Sequence, residues 1–199
     1  MVARKHHVMN DVPALAVRSA PAPTQSGTHA RLLVRPVLTH PHPLLAKRSV
    51  EIDPRSAPVV ALANLLVATL RASPGRVSLS APQIGDSVRL FAMNLGGHPG
   101  ARTCAGLVVL ANPRILARRG AVVVHEDCAS VPHVSGDVVR AAEVVVSGLV
   151  PGSGKNIVVP AEGIEATCIQ HEIDHLDGVL FIDRVGDPVT ELFVHEPHT

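Results

Sequence analysis

The chain has 199 residues, a formal net charge of +1 and a hydrophobic fraction of 46%, which together indicate one globular domain and exclude a wholly disordered chain. Lysine and arginine are scattered and no apolar run approaches the roughly 18 residues of a membrane span, so we expect neither a nucleic acid nor a membrane as partner. Three cysteines without a framework spacing favour a reducing compartment.

Residues 1–32 are predicted to form a flexible N-terminal extension. They mix Pro, Ser, Ala and His without periodicity, and Asp11 is the only acidic residue before Glu51. An acid-poor, arginine-containing start is also typical of an organellar transit peptide. We favour a bacterial, cytoplasmic protein with a leader of this kind, and organellar import is the alternative.

The first helix is predicted after Asp53, because apolar residues from Val59 to Leu70 recur at steps of three and four. The Ser-Pro-Gly sequence at 73–75 ends this helix, and a loop follows through Gly85. Short Val-rich segments bounded by Gly, Pro or Asn are predicted to be strands: 88–94, 107–112, 121–124, 138–147 and 156–159.

A second helix is predicted from about Ala161 to Leu176, with Asp177-Gly178 at its end. Strands followed by a helix, without a regular alternation of the two, indicate an α+β fold. Residues 33–185 form the predicted domain, and residues 186–199 are a predicted C-terminal tail.

The second helix carries the sequence His171-Glu172-Ile173-Asp174-His175. Residues four apart share a helical face, so both imidazoles can reach one ion while Glu172 stands beside the ion's open position. Two histidines and one glutamate at this spacing are the signature of metallohydrolases. The alternative is two surface histidines in a chain that has twelve, so further ligands must decide.

A third protein ligand is required, because catalytic sites of this type use three and leave a fourth position for water. Cys128 is the preferred candidate, since it follows a predicted strand and would approach the ion from a second segment. The alternative for Cys128 is a buried core residue. Cys168, three residues before His171 on the same face, is the rival ligand, and we assign it to packing.

Three segments together resemble peptide deformylase. Residues 170–178, QHEIDHLDG, match the histidine motif of that family throughout. Residues 126–130, EDCAS, are similar to its Glu-Gly-Cys-Leu-Ser motif, and residues 76–83, RVSLSAPQ, to its Gly-x-Gly-x-Ala-Ala-x-Gln loop. The order and spacing of the segments agree as well, and the resemblance covers about residues 33–185.

The resemblance implies mainly antiparallel strands packed around a central catalytic helix. It also implies one divalent metal ion held by Cys128, His171 and His175, with Fe²⁺ as the ion in the cell and Zn²⁺ or Ni²⁺ as substitutes. The expected substrates are formylated peptide N-termini, from which the family removes the formyl group of formyl-methionine. Family members that dock on the ribosome use a C-terminal helix, and no ribosome contact is predicted for this chain.

Further roles follow from the resemblance. Glu172 would act as general base and then as general acid, and Gln83 and the backbone N–H of Ala129 would stabilise the oxyanion. Glu126 and Arg140 match a family ion pair that would hold the Cys128 loop, although two solvated charges are the alternative. The predicted substrate-binding residues are Val77, Ser78, Val124, Ile164 and Thr167.

The departures from the family pattern lie around the substrate groove. Side chains in place of glycine would strain the loop or crowd the peptide, so we expect normal metal binding but lower efficiency on formyl-methionine peptides. The departures are Arg76, Ser78 and Asp127 for Gly, Ser80 for Ala, Ala129 for Leu, and Ser135 where many members have Arg.

Two other functions stay open at this point. The first is a deformylase-like protein that keeps the metal but has lost turnover and serves as a binding or regulatory module. The second is a metallohydrolase that acts on another N-formyl amide.

Overall fold

The computed structural model describes residues 34–196, so the predicted extension, residues 1–32, lies outside it. None of the helices in the described part has the length and apolar character to cross a membrane. The helices are α1 (Ala57–Arg71), α2 (Gly163–Asp177) and α3 (Pro188–Glu191), and short 3₁₀ turns lie at Pro43–Ala46, Ala81–Ile84 and Phe181–Asp183. The strands are β1 (Ser78–Ser80), β2 (Leu90–Asn94), β3 (Leu107–Arg119), β4 (Val122–Cys128), β5 (Val131–Arg140), β6 (Glu143–Leu149), β7 (Asn156–Glu162) and β8 (Leu192–Val194).

Helix α1 confirms the first predicted helix, although it begins at Ala57 and not directly after Asp53. Ser56 is its N-cap, and a proline follows in the first turn, where the N–H groups have no acceptor within the helix. The buried face of α1, with Leu66 and Leu70, packs against Leu79 and Leu90 of strands β1 and β2. The helix therefore supports the strands that carry one wall of the site.

Strand β3 is longer than predicted, because it continues past Asn112 to Arg119. Asn112 has a left-handed backbone with φ 50°, and the pairing register shifts between Ala111 and Arg114. The Asn-Pro pair thus forms a bulge and does not end the strand. The Asn112 side chain accepts the Ile52 N–H at 3.0 Å and donates to the Ile52 carbonyl at 2.8 Å, which ties the bulge to the segment before α1.

The prediction of one strand over 138–147 is wrong. Strand β5 ends at Arg140 and β6 begins at Glu143, and the two strands belong to different sheets. Because both strands are rich in valine, the sequence contains no signal for the turn between them. Strand β1 also forms where a loop was predicted, since three residues are too few to show an alternating pattern.

The strands form two antiparallel sheets around helix α2. The first sheet has the order β1-β2-β3-β6-β7 and the second the order β4-β5-β8, so β1 and β4 are both edge strands. The apolar side of α2, with Ile169, Ile173 and Leu176, packs on the first sheet against residues such as Phe91 and Leu110. The predicted α+β fold is confirmed.

The residues predicted as a C-terminal tail include regular structure. Asp187 caps α3 by accepting the Val189 N–H at 3.0 Å, and β8 then pairs with β5 through Ser135 opposite Phe193. The Asp-Pro pair that starts α3 is a local signal for a helix start, but four residues are too few for a periodic pattern. Regular structure therefore continues beyond the predicted domain end at 185.

The end of α2 is fixed by Gly178, which has a left-handed backbone with φ 76°. A Cβ at this position would lie 2.8 Å from the backbone carbon and oxygen of Ala46. The last turn of α2, which carries His175, is therefore packed directly against the 3₁₀ turn Pro43–Ala46.

Replacing Gly178 by alanine is expected to destabilise the protein by about 2–4 kcal/mol, because it combines backbone strain with a backbone clash. Gly75→Ala is the matched control, since Gly75 has φ 77° but no atom within 4 Å of the added Cβ. That change is expected to cost about 1 kcal/mol. Urea unfolding of both variants measures the difference, and equal losses would contradict the role of the contact with Ala46.

Candidate metal centre and its cleft

Three predicted ligands converge from two segments. Cys128 ends β4, where the register shifts after Asp127 and the chain turns into β5. His171 and His175 lie one turn apart on α2. The Cys128 Sγ and the His175 Nε2 are 3.2 Å apart, the two Nε2 atoms are also 3.2 Å apart, and all three ligand atoms lie within 4.8 Å of one another.

The surroundings of these atoms fit a divalent cation. The Nδ1–H of His171 donates a hydrogen bond to the Glu126 Oε2 at 2.9 Å. The lone pair on the Nε2 of His171 therefore points toward Cys128 and His175. Three electron-rich atoms facing one point repel each other unless a proton or a cation lies between them. One thiolate and two imidazoles form a donor set that suits Fe²⁺, Zn²⁺ or Ni²⁺.

Protons and metal compete for these side chains. Burial alone would lower the pKa of His171, but its bonds to Cys128 and Glu126 hold it well above the ordinary value. Burial, with the neighbouring His171, holds the pKa of His175 well below its ordinary value. The Ser130 N–H donates to the Sγ of Cys128 at 3.4 Å.

The predicted ion pair between Glu126 and Arg140 is confirmed and is buried. The Arg140 Nε and Nη2 donate to the two oxygens of Glu126 at 2.6 and 3.0 Å, and its Nη1 donates to Asp174 of α2. Burial would raise the pKa of Glu126, but the bonds to Arg140 and His171 lower it to about 2. The pair therefore joins β4, β5 and α2 and orients the ring of His171.

Cys168 occupies a different chemical environment from Cys128. Its side chain is buried beside Glu172, and burial, followed by that carboxylate, raises the pKa of its thiol to about 12. Its sulfur does not belong to the converging ligand group. A neutral buried thiol agrees with the assignment of Cys168 to packing.

Glu172 lies beside the ligand group on α2 with 1% of its surface exposed. Its Oε2 has no hydrogen-bond partner within residues 34–196. Burial raises the pKa of this carboxyl, although His171 and the hydroxyl of Ser78 act in the opposite direction. A carboxyl with a raised pKa can take up a proton and release it again near neutral pH.

Gln83 is held in one orientation at the end of β1. Its Oε1 accepts the Ser80 N–H at 2.9 Å and the Ser80 hydroxyl at 3.1 Å. Its Nε2 therefore points the other way, 3.2 Å from the Ser130 Oγ and 3.6 Å from the Cys128 Sγ. This role of Ser80 was not predicted, although Ser-x-x-Gln is a capping-box pattern.

These side chains open onto a cleft of about 810 Å³. Of the predicted substrate-binding residues, Val124 does not line it, so its role stays a prediction. Val124 pairs with Val138 and lies on the same face of β4 as Glu126 and Cys128, which do line the cleft. The other predicted residues do line the cleft, namely Val77, Ser78, Ile164 and Thr167, as does Ala129.

The residues that replace family glycines are not strained. Among the described non-glycine residues, only Asn112 and His133 have a positive φ. Ser78 and Asp127 therefore have ordinary strand backbones. Backbone strain is thus excluded as a cause of the lower efficiency predicted for formyl-methionine peptides. Both line the cleft, so crowding of the peptide remains a prediction. His195 and Glu196 also line the cleft, because β8 pairs with β5, and neither residue was predicted to do so.

Comparison with known proteins agrees with this geometry. Residues 34–191 match the family model for polypeptide deformylase. The chain belongs to this family. A peptide deformylase of Carboxydothermus hydrogenoformans is 41% identical over 145 residues, which are 73% of this chain and 87% of that protein. The peptide deformylase of Syntrophobacter fumaroxidans is 36% identical over 157 residues, which are 79% of this chain and 89% of that protein.

Solved deformylase structures have the same fold. A crystal structure of a peptide deformylase from Legionella pneumophila has a TM-score of 0.70 and 34% identity, and the match covers 79% of this chain and 88% of that one. A class I type b peptide deformylase from Acinetobacter baumannii, crystallised with Met-Ala-Ser bound, has a TM-score of 0.69 and 30% identity, over 77% of this chain and 99% of that one. The predicted family and hydrolase class are thus confirmed.

Removal of the Cys128 sulfur is expected to empty the metal centre. The purified deformylase should carry about one ion per chain, Cys128→Ala should lose it, and Cys168→Ala should retain it, because only the first thiolate faces both imidazoles. Metal content by plasma mass spectrometry measures this. Loss of the ion in Cys168→Ala would show that the wrong thiol was assigned.

Loss of the buried guanidinium is expected to destabilise the fold strongly. Arg140→Leu leaves Glu126 buried without its guanidinium and Asp174 with only Arg184, so it should cost about 3–5 kcal/mol. Arg114→Leu is the matched control, because Arg114 also binds a glutamate, Glu51, at 2.6 Å, but these side chains are 70% and 56% exposed, against 4% and 5% in the buried pair. The control should lose at most about 1 kcal/mol. Similar losses in urea unfolding would contradict the importance of burial.

Proposed function

We propose that this deformylase removes the formyl group from N-terminal formyl-methionine of newly made polypeptides and releases formate. The observation that carries the proposal is the position of Glu172 and Gln83 around the converging Cys128, His171 and His175 in one cleft. A protein that only bound peptides would need neither the buried carboxyl of Glu172, whose Oε2 has no partner within residues 34–196, nor the amide of Gln83 that Ser80 orients.

We propose that Cys128, His171 and His175 hold one Fe²⁺ ion in the cell and accept Zn²⁺ or Ni²⁺ in its place. Such an ion supplies Lewis-acid chemistry and lowers the pKa of a bound water to about 7. The protein's own contribution is to fix the ligands through the Arg140 ion pair and to exclude other donors from the site.

Glu172 is the proposed proton carrier. It takes one proton from the water that attacks the formyl carbon, and it gives a proton to the methionine nitrogen as the carbon–nitrogen bond breaks. A new carbon–oxygen bond replaces that bond, so the products are formate and a peptide with a free amino terminus. Burial supports this role because it raises the pKa of the carboxyl.

Gln83 and Ala129 are the proposed oxyanion donors. The Gln83 amide keeps its Nε2 toward the ligands because Ser80 holds its Oε1. Ala129 follows Cys128 in the turn between β4 and β5 and lines the cleft, so its N–H can reach the same oxygen. Loss of one such donor typically lowers the rate by about 100 to 1,000-fold.

Two edge strands support a peptide substrate. Residues of β1 and β4 line the cleft, and each strand is at the edge of its sheet, so an extended peptide can pair with their backbones. We propose that the methionine side chain lies against Val77, Ile164 and Thr167, with Ser78 beside the peptide backbone. Val124, on the same face of β4 as Cys128, stays a predicted contact of this side chain.

The bacterial origin of the similar curated proteins supports a cytoplasmic bacterial deformylase as the setting.

A metallohydrolase for another N-formyl amide remains the second candidate. Formate release from formyl-Met-Ala peptides, compared with formyl-Leu-Ala and formyl-Glu-Ala peptides on iron-loaded and zinc-loaded protein, tests the substrate. Equal rates on all three peptides would contradict a methionine pocket.

Glu172→Gln is expected to keep the metal and to lose nearly all formate release, because an amide has the shape of the carboxyl but cannot take up the proton. Glu165→Gln is the matched control, since Glu165 is equally buried on α2 but its Oε1 accepts the Ala105 N–H away from the cleft. The control should retain normal kcat. Near-normal turnover in Glu172→Gln would exclude it as the proton carrier.

A further inference from the structure

The cleft extends past the ligand group to the C-terminal strand. At that end it is lined by Ser135 of β5, by His133, and by His195 and Glu196, which follow β8. None of these residues has a part in the chemistry proposed above. The residues proposed to contact the methionine side chain belong to other elements, since Val77 precedes β1 and Ile164 and Thr167 lie on α2. This end of the cleft is therefore available for another part of a bound peptide.

Backbone pairing brings His195 to this position. Strand β8 pairs with β5 through Val194 opposite Val134, and the His195 N–H donates to the His133 carbonyl at 2.8 Å. These contacts are made by backbone atoms, so they do not depend on the imidazole of His195. The side chain can be changed without removing the strand.

The imidazole of His195 is fixed by a buried hydroxyl. The Ser135 Oγ lies 2.6 Å from the His195 Nε2, and Ser135 is only 3% exposed. The Nδ1 of His195 makes no hydrogen bond within residues 34–196, and the residue is exposed at the cleft. One ring nitrogen is thus anchored while the other can bind a polar group of a ligand.

Neighbouring side chains hold the residues at this end of the cleft in place. Ser135 pairs with Asp127 on one side and Phe193 on the other, on the outer face of the second sheet. On the same face, the His125 Nδ1 lies 2.7 Å from the Asp137 Oδ1, and the ring of His125 packs on Phe193 with centroids 5.3 Å apart. These contacts hold the side chains of His125 and Phe193 in one orientation.

We propose that His195, positioned by Ser135, forms a subsite for the peptide residues that follow formyl-methionine. The inference rests on the proposed function, because it assumes that the methionine end of the peptide lies at the metal centre. An extended peptide that pairs with the β4 edge beside Asp127 can continue along the cleft toward Ser135, which pairs with Asp127. The Nδ1 of His195 then donates to, or accepts from, a polar group of a later residue.

The test compares short and long substrates. Formate release is measured with formyl-Met-Ala and with formyl-Met-Ala-Ser-Lys-Ala, on the metal-loaded full chain and on His195→Ala, Ser135→Ala and His98→Ala. His98 is a control histidine outside the cleft. The native protein should prefer the long peptide by about three- to tenfold in kcat/KM, as one hydrogen bond implies.

His195→Ala and Ser135→Ala should bring the ratio of long to short close to one while the rate on formyl-Met-Ala is unchanged. His98→Ala should keep the native ratio. An unchanged ratio in His195→Ala overturns the proposal. Equal losses on both peptides also overturn it, because they show that the residue supports the structure of the site as a whole.

A second measurement separates this inference from the proposed function. The dissociation constants of the unformylated peptides Met-Ala and Met-Ala-Ser-Lys-Ala are determined for the native protein and His195→Ala. If formate release fails but only the long peptide binds more weakly to the variant, the subsite stands and the proposed function does not. If the variant binds both peptides like the native protein, the subsite is absent.

Discussion

The buried ion pair of Arg140 with Glu126 and Asp174 is the constraint on which the metal centre depends. Arg140 lies at the end of β5, and its partners come from β4 of the same sheet and from the central helix α2. A planar guanidinium with several donors can satisfy both carboxylates at once. Because Glu126 also accepts from the Nδ1 of His171, the same pair that joins these elements sets which nitrogen faces the metal.

This arrangement places two open sheet edges at the proposed peptide-binding cleft. An edge strand exposes unpaired backbone groups and usually invites association with other chains. In this protein, β1 and β4 each line the cleft, one through Ser78 and the other through Asp127. Cys128 and the proposed oxyanion donors, Gln83 and Ala129, thus lie on or next to the same two strands, and the two histidines face the cleft from α2.

Hydroxyl groups replace several side chains that the family motif leads one to expect. Ser80 binds the Oε1 of Gln83, and Ser135 binds His195. Both serines are buried, and buried hydroxyls are stable only with a partner. The departures from the motif therefore create contacts that orient polar side chains, and the ordinary backbone of Ser78 shows that they do so without strain.

The sequence alone determined the second helix, the spacing of His171 and His175, and the choice of Cys128, because a periodic pattern and local motifs carry that information. It did not reveal the bulge at Asn112, since a left-handed residue is set by the packing around it. Only the tertiary structure decided that Val124 does not line the cleft and that His195 does. Both depend on which strands pair, and strand pairing joins residues whose separation leaves no local signal in the sequence.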